Sequence, residues 1–517
     1  MPPTAAQNSV SCNYIFSARL SARQKPGAGH IIGDDMKEKK YIPDSEQLGA
    51  DLSAAASLYE GLCCSITVVR NGEIIHRSRF GNPPETYLLD GRGGLLVGLS
   101  ALMLCQSEKL SPDRPVCRHI TGRELPLSPE LTVARLMNHT TGLPDPLHED
   151  LLPGLHRDPE FAALDAEEQL RGEVKKALSS REYLSLYPLL RSCAESRLPY
   201  APSSMDEALL CEVITRCADQ PLGEYQQEHI FRPLGISAQP GVHTSSPGHL
   251  MASDSRLIDF CADESTEGVY TIAISQLEQL TAALAQGQIL SDIGWALVGQ
   301  YADGHSLPFA RREGFLCANS DVAGWRVDFL LEPSSGLGVL IASDRPLPHR
   351  VNGDGYCRLD IDIMGCINSR RIFPAHTRME RLSLRNLSSL LTLETEADQK
   401  DYAASPAIDI ASTAAERNRE TFAATERGVT VGMLSLCTES SGRWARLETV
   451  LVDRRYRRRG FGRIMVRWAM SYLERKGFSR LTLCVSRNNL PAQSLYRSLG
   501  FELQGVYDSQ FIFCAYL

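Results

Sequence analysis

Few folds accommodate an apolar strand that ends on a cluster of arginines and passes through paired glycines straight into a helix. In LETVLVDRRYRRRGFGRIMV the apolar run stops at Val452, then Arg454, Arg455, Arg457, Arg458 and Arg459 fall within six residues, and Gly460 and Gly462 lie where the next helix begins. Strand, short loop and amphipathic helix in that order make an α/β layer. Glycines at the turn let backbone N–H groups approach an anion closely, and the helix start adds unpaired N–H groups and the positive end of its dipole. Two readings stay open on these residues alone: a pyrophosphate cradle ringed by guanidinium groups, and a glycine helix start beside a solvated basic run.

The alternation extends over residues 376–517, through a hairpin at TFAATERGVTVGMLSL, the strand ARLETVLV, the helix FGRIMVRWAMSYLERK, the strand RLTLCV, the helix PAQSLYRSL and a final β pair. Upstream the pattern changes, and GCINSRRIFPAHTRME, with its basic pair and proline, marks the boundary. Residues 44–375 open with the helix SEQLGADLSAAASLYEGL and a hairpin turning at Asn71-Gly72, a pair that tolerates the positive φ of a type I′ turn. Helical blocks follow (ALLCEVITRCADQPLGEYQQEHIF, AISQLEQLTAALAQG), then paired strands in WRVDFLLEPSSGLGVLIAS. Helices in the middle and an antiparallel sheet built from both ends describe an α+β domain. The charged stretch 150–195 reads as a helical insertion or lid, or more plainly as a solvated helix pair, and the polar residues 1–43 as a flexible arm.

Composition narrows the class. A chain of 517 residues is long enough for two or three cores, and a net charge of −8 argues against a general nucleic-acid binder. No apolar run reaches the ~18–20 residues of a membrane span, and the N-terminus lacks a secretory apolar core, so the expected setting is intracellular and cytoplasmic, without a membrane partner. The 15 cysteines are scattered through apolar segments with no CxxC pair, which points to buried free thiols; the adjacent Cys63 and Cys64 are not read as a metal site.

Two ordered motifs make the C-terminal reading specific. Arg457-Arg458-Arg459-Gly460-Phe461-Gly462, approached by Val452-Asp453-x-x-Tyr456, resembles the R/Q-x-x-G-x-G/A motif of the GNAT superfamily of N-acetyltransferases. Asn489-Leu-Pro-Ala492-Gln-Ser-Leu495-Tyr496-Arg-Ser-Leu-Gly500-Phe501 is similar to the family's second motif. The resemblance covers roughly residues 378–517. It implies an α/β fold with a mixed central sheet flanked by helices. It implies acetyl-CoA or another short acyl-CoA as co-substrate, its pyrophosphate held by Arg457 to Gly462 and its pantetheine arm paired with the strand end at Leu451 and Val452. The implied reaction is acyl transfer to an amine. A lysine-like amine with a pKa of ~10.4 is neutral about once in 2,500 molecules at pH 7, so deprotonation costs ~4.6 kcal/mol and a general base is useful. The resemblance offers Glu448 as that base, Tyr496 as proton donor to the departing thiolate, and Asn489 as a residue that orients its helix or contacts the CoA arm. Strict alternation along ARLETVLV puts Glu448 and Thr449 on opposite faces.

Residues 45–375 resemble the serine β-lactamase and penicillin-binding-protein-like family, in its class C and esterase branch. The resemblance rests on Lys109-Leu-Ser-Pro-Asp113-Arg-Pro115-Val116, on Leu131-Thr-Val-Ala-Arg-Leu-Met-Asn-His139-Thr-Thr-Gly142-Leu-Pro144-Asp145 and on Ile230-Phe-Arg-Pro233-Leu-Gly235-Ile236. That family's chemistry needs a Ser-x-x-Lys pair ahead of the first stretch. Counting back from Lys109, those positions are Gly91 and Gly94, and no serine in the chain has a lysine three residues later. The Tyr-x-Asn position reads Pro202-Ser203-Ser204, with Tyr200 two residues upstream, and the Lys/His-x-Gly of the edge strand reads Arg312-Glu313-Gly314. His139 is expected to be architectural. Arg92 is offered as an anion contact in the cleft, and Ser100, Ser203 or Tyr200 as groups for an unrelated reaction.

The combined expectation is an acyl-CoA-dependent transferase, free of metal, acting on a small-molecule amine or hydroxyl in specialised metabolism. The degraded β-lactamase-like domain would be a scaffold, a substrate-binding module or the contact of a homo-oligomer. Two alternatives stand beside it: a hydrolase or transacylase with a non-standard nucleophile in the N-terminal cleft, and a non-catalytic CoA sensor.

Overall fold

The structure is a computed structural model that describes residues 45–120, 127–179, 203–244, 246–263, 266–301, 307–352, 355–395, 405–439 and 443–517. The arm 1–43, Tyr200 and Pro202, and residues 180–195 of the expected insertion lie outside the described residues.

Helix α1 (Ser45–Ala56) leads into strands β1 (Cys64–Arg70) and β2 (Glu73–Phe80). Asn71 and Gly72 take φ of +49° and +84°, the backbone that a two-residue hairpin turn demands. Strand β3 (Thr86–Asp90) and helix α2 (Gly94–Gln106) follow, then the charged helix α3 (Ala166–Ser179), which buries no residue, and helix α4 (Ser204–Ala218). Strand β4 (Val269–Ala273) pairs with β3 and runs into α5 (Ile274–Ala285). Strands β5 (Ala310–Arg312), β6 (Phe315–Val322), β7 (Trp325–Glu332) and β8 (Leu337–Ser343) precede helix α6 (Leu359–Asn368).

The main sheet has the order β2-β1-β8-β7-β6-β5, so the first and last strands of this sheet in the chain lie side by side. All seven residues of β8 are buried because helices cover both faces. On one face Leu48 and Leu52 of α1 and Ile363 and Ile367 of α6 pack on Ile66, Val339 and Ile341. On the other, α2, α4 and α5 close a larger core with Val327, Phe329 and Leu340. This is the expected α+β arrangement, a β-lactamase-like layer structure with helices segregated around an antiparallel sheet.

The second sheet is formed by β9 (Arg378–Arg381), β10 (Arg419–Glu426), β11 (Val429–Thr438), β12 (Trp444–Val452), β13 (Arg480–Ser486), β14 (Glu502–Tyr507) and β15 (Gln510–Tyr516), in the order β9-β10-β11-β12-β13-β15-β14. Only β12 and β13 run parallel, and helix α9 (Phe461–Arg475) makes their crossover. Period-2 alternation sorts the strand residues: Leu434 and Leu436 face α9 with Met465, Val466 and Ala469, while Met433 and Leu451 face the other side, with Leu390 of α7 (Leu384–Leu391). Helix α8 (Pro406–Ala415) lies on that second side against β10, and α10 (Leu490–Arg497) follows β13. No helix among the described residues is long and apolar enough to cross a membrane. Burial raises the thiols of Cys63 and Cys64, the latter to about 12, so both stay protonated, and no cluster of metal-ligating side chains occurs among the described residues.

Candidate active site

The parallel pairing of β12 with β13 runs from Trp444↔Arg480 to Leu447↔Leu483 and then ends, while β13 continues on β15 alone. From Glu448 to Val452 the β13-facing edge of β12 is therefore open, a length of backbone free to pair with an extended ligand arm. Leu451 is buried against α7 and Val452 is half-buried against the α9 core, so their side chains fix the strand and leave its peptide groups for pairing. The loop after β12 crosses the mouth of this opening.

That loop is built by conformation more than by charge. Asp453, wholly buried, accepts from the backbone N–H groups of Arg455 (2.9 Å) and Glu394 (3.0 Å) and from the Arg455 guanidinium (2.8 Å), which turns the chain sharply away from the strand. Arg458 at φ +60° and Gly460 at φ +97° complete the turn, and α9 starts at Phe461, whose ring anchors it in the core. A Cβ on Gly462 would make only ordinary contacts at 3.5 Å and 3.7 Å with Leu495 and Val452, so the constraint at Gly462 is on large or charged side chains.

The arginines divide. Arg459 does not face the open side of the loop: its Nη1 donates to the Ile372 carbonyl at 2.7 Å, its Nη2 to the Ser369 carbonyl, and its guanidinium lies over the Phe373 ring at 4.9 Å. Arg455 is buried on Asp453, and Arg454 pairs with Glu394 at 2.9 Å. This corrects the expectation that the whole basic run surrounds a phosphate. At the helix start Arg458 is exposed and Arg457 half-buried, while Arg463 in the first turn of α9 donates to the Ser498 hydroxyl at 2.8 Å.

Alternation fails at Glu448. Ser435 pairs with Thr449 and Leu436 with Leu447, so Glu448 is the extra residue of a β-bulge. Thr449 then faces Asp409 of α8, whose carboxyl also feels the Glu448 charge. Glu448 is held by Arg446, and its side chain keeps 19% of its exposure. Asp409 is wholly buried, accepts from Arg419 Nη2 at 2.6 Å, and has its Oδ2 without a hydrogen bond of good geometry. Burial pushes its pKa up against the pull of Thr449 and Arg419. Nothing in PAIDIAS distinguishes this aspartate from a surface residue of an amphipathic helix; its burial comes from β10 and β12, which the local pattern does not show.

Tyr496 sits on α10 with its ring 5.6 Å from that of Phe501, and burial pushes its hydroxyl up to about 12. It is protonated at neutral pH and a good hydrogen-bond donor, yet a weaker acid than a thiol of pKa ~8.5. Asn489 caps α10 by accepting from the Ala492 N–H at 3.2 Å, and Gln493 donates to the Ser486 and Arg487 carbonyls at 3.0 Å and 2.9 Å, fixing α10 to the end of β13.

The N-terminal domain has its own cleft, of about 1330 Å³, beside the N-terminus of α2. Gly91 lines it and Gly94 begins α2 beside it, and at both the space a side chain would need is taken. A Cβ on Gly91 would sit 2.6 Å from the Tyr270 ring, and one on Gly94, at φ +50°, 2.5 Å from the Asn319 carbonyl oxygen. Glu207 accepts from the Gly94 N–H at 3.3 Å, and Asp90, Glu267 and Asp321 add further negative charge to the wall. Arg92 faces Glu267 at 3.7 Å, surroundings that disfavour the anion contact expected of it. Ser203 caps α4 and donates to the Pro144 carbonyl at 2.9 Å, Ser204 donates to Asp145 at 2.5 Å, and Ser100 is buried on the Leu96 carbonyl. His139, at φ +49°, meets the buried Asp206 at 3.2 Å, and Thr141 donates to the same carboxylate at 2.6 Å, the architectural role expected.

Arg312, Glu313 and Gly314 do not border the cleft. They form the β5–β6 turn at the far end of the strand, whose other end, Asp321 to Ala323, lines the cleft. The turn packs instead on the β10–β11 turn of the other domain: a Cβ on Gly314 would lie 3.4 Å from the Arg427 carbonyl oxygen, and Glu313 accepts from the Thr430 N–H at 3.0 Å.

Two family models match separate parts of the chain. The acetyltransferase (GNAT) family model matches residues 384–501 and the beta-lactamase family model matches residues 95–253, a match that begins just past Gly91 and Gly94. The chain thus joins a β-lactamase-like domain to a GNAT domain. Among curated proteins, N-acetyltransferase family 8 member 3 of Rattus norvegicus is 33% identical over 95 residues, which is 18% of this chain and 42% of that protein, so the chain matches less than half the relative's length. Similar solved structures include a penicillin binding protein from Bacillus halodurans (TM-score 0.44, 15% identity, 62% of this chain and 99% of that one). Another is the PaiA N-acetyltransferase of Thermoplasma acidophilum in complex with coenzyme A (TM-score 0.23, 17% identity, 28% of this chain and 100% of that one).

Proposed function

We propose that this chain is an acyl-CoA-dependent N-acyltransferase for a small-molecule amine, with its chemistry in the GNAT domain and a β-lactamase-like domain that performs no hydrolysis. The observation that carries the reading is the parting of β12 and β13 after Leu447, with a glycine-turned helix start at its mouth. Those features fit an acyl-CoA: the open edge at Leu451 and Val452 suits the pantetheine arm, and the N–H groups from Gly460 to Gly462 with Arg457 and Arg458 suit the pyrophosphate. When bound, the acyl-CoA supplies an activated thioester.

The remaining work falls to the chain. Glu448, partly exposed beside the open edge, takes the proton from the incoming ammonium group. The Tyr496 hydroxyl donates a hydrogen bond on the leaving-group side. Full proton transfer from a group at about 12 to a thiolate of pKa ~8.5 is uphill by ~4–5 kcal/mol, so the hydrogen bond is its larger contribution. The crowding at Gly91 and Gly94 supports a silent N-terminal cleft, since neither nucleophile nor base fits there.

An acceptor screen with acetyl-CoA, reading free thiol, tests the proposal on wild type beside Gly462→Glu. Amine-dependent thiol release in wild type, abolished in the variant, is expected; release that survives the variant refutes the cradle assignment.

A further inference from the structure

The arginine loop of the GNAT domain and the last helix of the β-lactamase-like domain are built into one another. Gly365 of α6 has no side chain where Arg455 passes: a Cβ there would lie 1.9 Å from Arg455 Nη1. The next residues, Ser369 and Ile372, give their carbonyls to Arg459, and Phe373 stacks on its guanidinium, with Tyr456 on the same group at 5.7 Å. A second tie runs from Asp362 of α6 through Arg350 to Glu394, whose N–H reaches Asp453 at 3.0 Å and which also holds Arg454. Asn368, at the end of α6, donates to the Glu313 carbonyl at 2.8 Å, so helix, turn and loop share one network.

The first two ties meet the loop at its arginines, Arg455 and Arg459 in one and Arg454 in the other. Without the first domain, Arg459 would lose both carbonyl acceptors and the Phe373 ring, and Arg455 would keep Asp453 but lose the helix packed over it. We infer that the β-lactamase-like domain is the positioning element of the acyl-CoA loop, with Gly365, Ser369, Ile372 and Phe373 setting the loop's shape through Arg455 and Arg459. The inference rests on the acyl-CoA reading above and gives the first domain a task independent of its own cleft.

Calorimetric titration of the full chain with CoA, with initial-rate measurements for acceptor and acetyl-CoA, tests it. Gly365→Ala puts a better helix former into α6 but displaces Arg455, and should weaken CoA binding roughly ten- to hundredfold. Phe373, 58% exposed and outside the core, allows a milder probe. Phe373→Ala should weaken CoA about two- to fivefold and Phe373→Trp should restore it, because the stacked guanidinium needs only an aromatic face. In both weakened variants KM for acetyl-CoA should rise while KM for the amine stays unchanged. Wild-type protein that binds no CoA overturns the acyltransferase reading and this inference together. Wild type that binds CoA, with Phe373→Ala binding equally well, overturns the inference alone, as does a variant whose loss appears in the amine KM.

Discussion

Replacing Glu313 by glutamine should make the protein more stable, and increasingly so as pH rises. The carboxyl is enclosed between the two domains, where it accepts from the Thr430 N–H and faces Arg455, Asp453 and the Ser389 hydroxyl. Burial is the dominant influence; it outweighs Arg455 and raises the pKa from an ordinary 4.5 to about 7. A carboxyl whose folded-state pKa is raised costs nothing below its unfolded value. The cost then grows from pH 4.5 to about 7 and is constant above, as the charged form is forced into the interface. At ~1.4 kcal/mol per pH unit that interval amounts to about 3 kcal/mol. Glutamine keeps the acceptor oxygen for Thr430 and never ionises. The difference in unfolding free energy between Glu313→Gln and wild type, measured by urea denaturation at pH 5 and pH 8, should therefore rise by on the order of 2–3 kcal/mol, or several degrees in Tm. A difference that does not change with pH would show that Glu313 keeps an ordinary carboxylate pKa and would refute the argument.

Other outcomes can be stated briefly. Glu448→Gln should lower kcat by about 10²–10³, with CoA affinity unchanged in a binding titration. Asp409→Asn should lower the unfolding free energy in urea by roughly 3–5 kcal/mol, since it leaves the buried Arg419 without its charge partner. Reinstating Gly91→Ser with Gly94→Lys should yield no turnover of a chromogenic β-lactam and should destabilise the chain by roughly 1–3 kcal/mol, through contacts at 2.6 Å and 2.5 Å and the positive φ at Gly94.

What could be read from the sequence was local. The strand, arginine turn and helix at 444–475 follow from apolar periods and a glycine at positive φ, all within one short window. So does the Asn71-Gly72 hairpin. The misreadings have a common cause in partners far away along the chain. Arg459 is bound to carbonyls 87 and 90 residues upstream, which no property of RRRGFG announces. Arg312-Glu313-Gly314 has the composition of a cleft motif but sits in a turn, because β6 begins at Phe315 and presents its other end to the cleft. Glu448 defeats the period-2 argument by a single inserted residue, visible only once β11 is laid beside β12.

The filled spaces at Gly91 and Gly94 bear on which mutational routes are open to this chain. A serine arriving alone at Gly91 meets the Tyr270 ring, and a lysine arriving alone at Gly94 meets the Asn319 peptide in a backbone conformation that resists any side chain. Each step costs stability until neighbours on two other elements have moved, and neither confers activity without the other. Selection for hydrolysis would thus find no gradual path back into this cleft, whereas the surface around it stays free to vary.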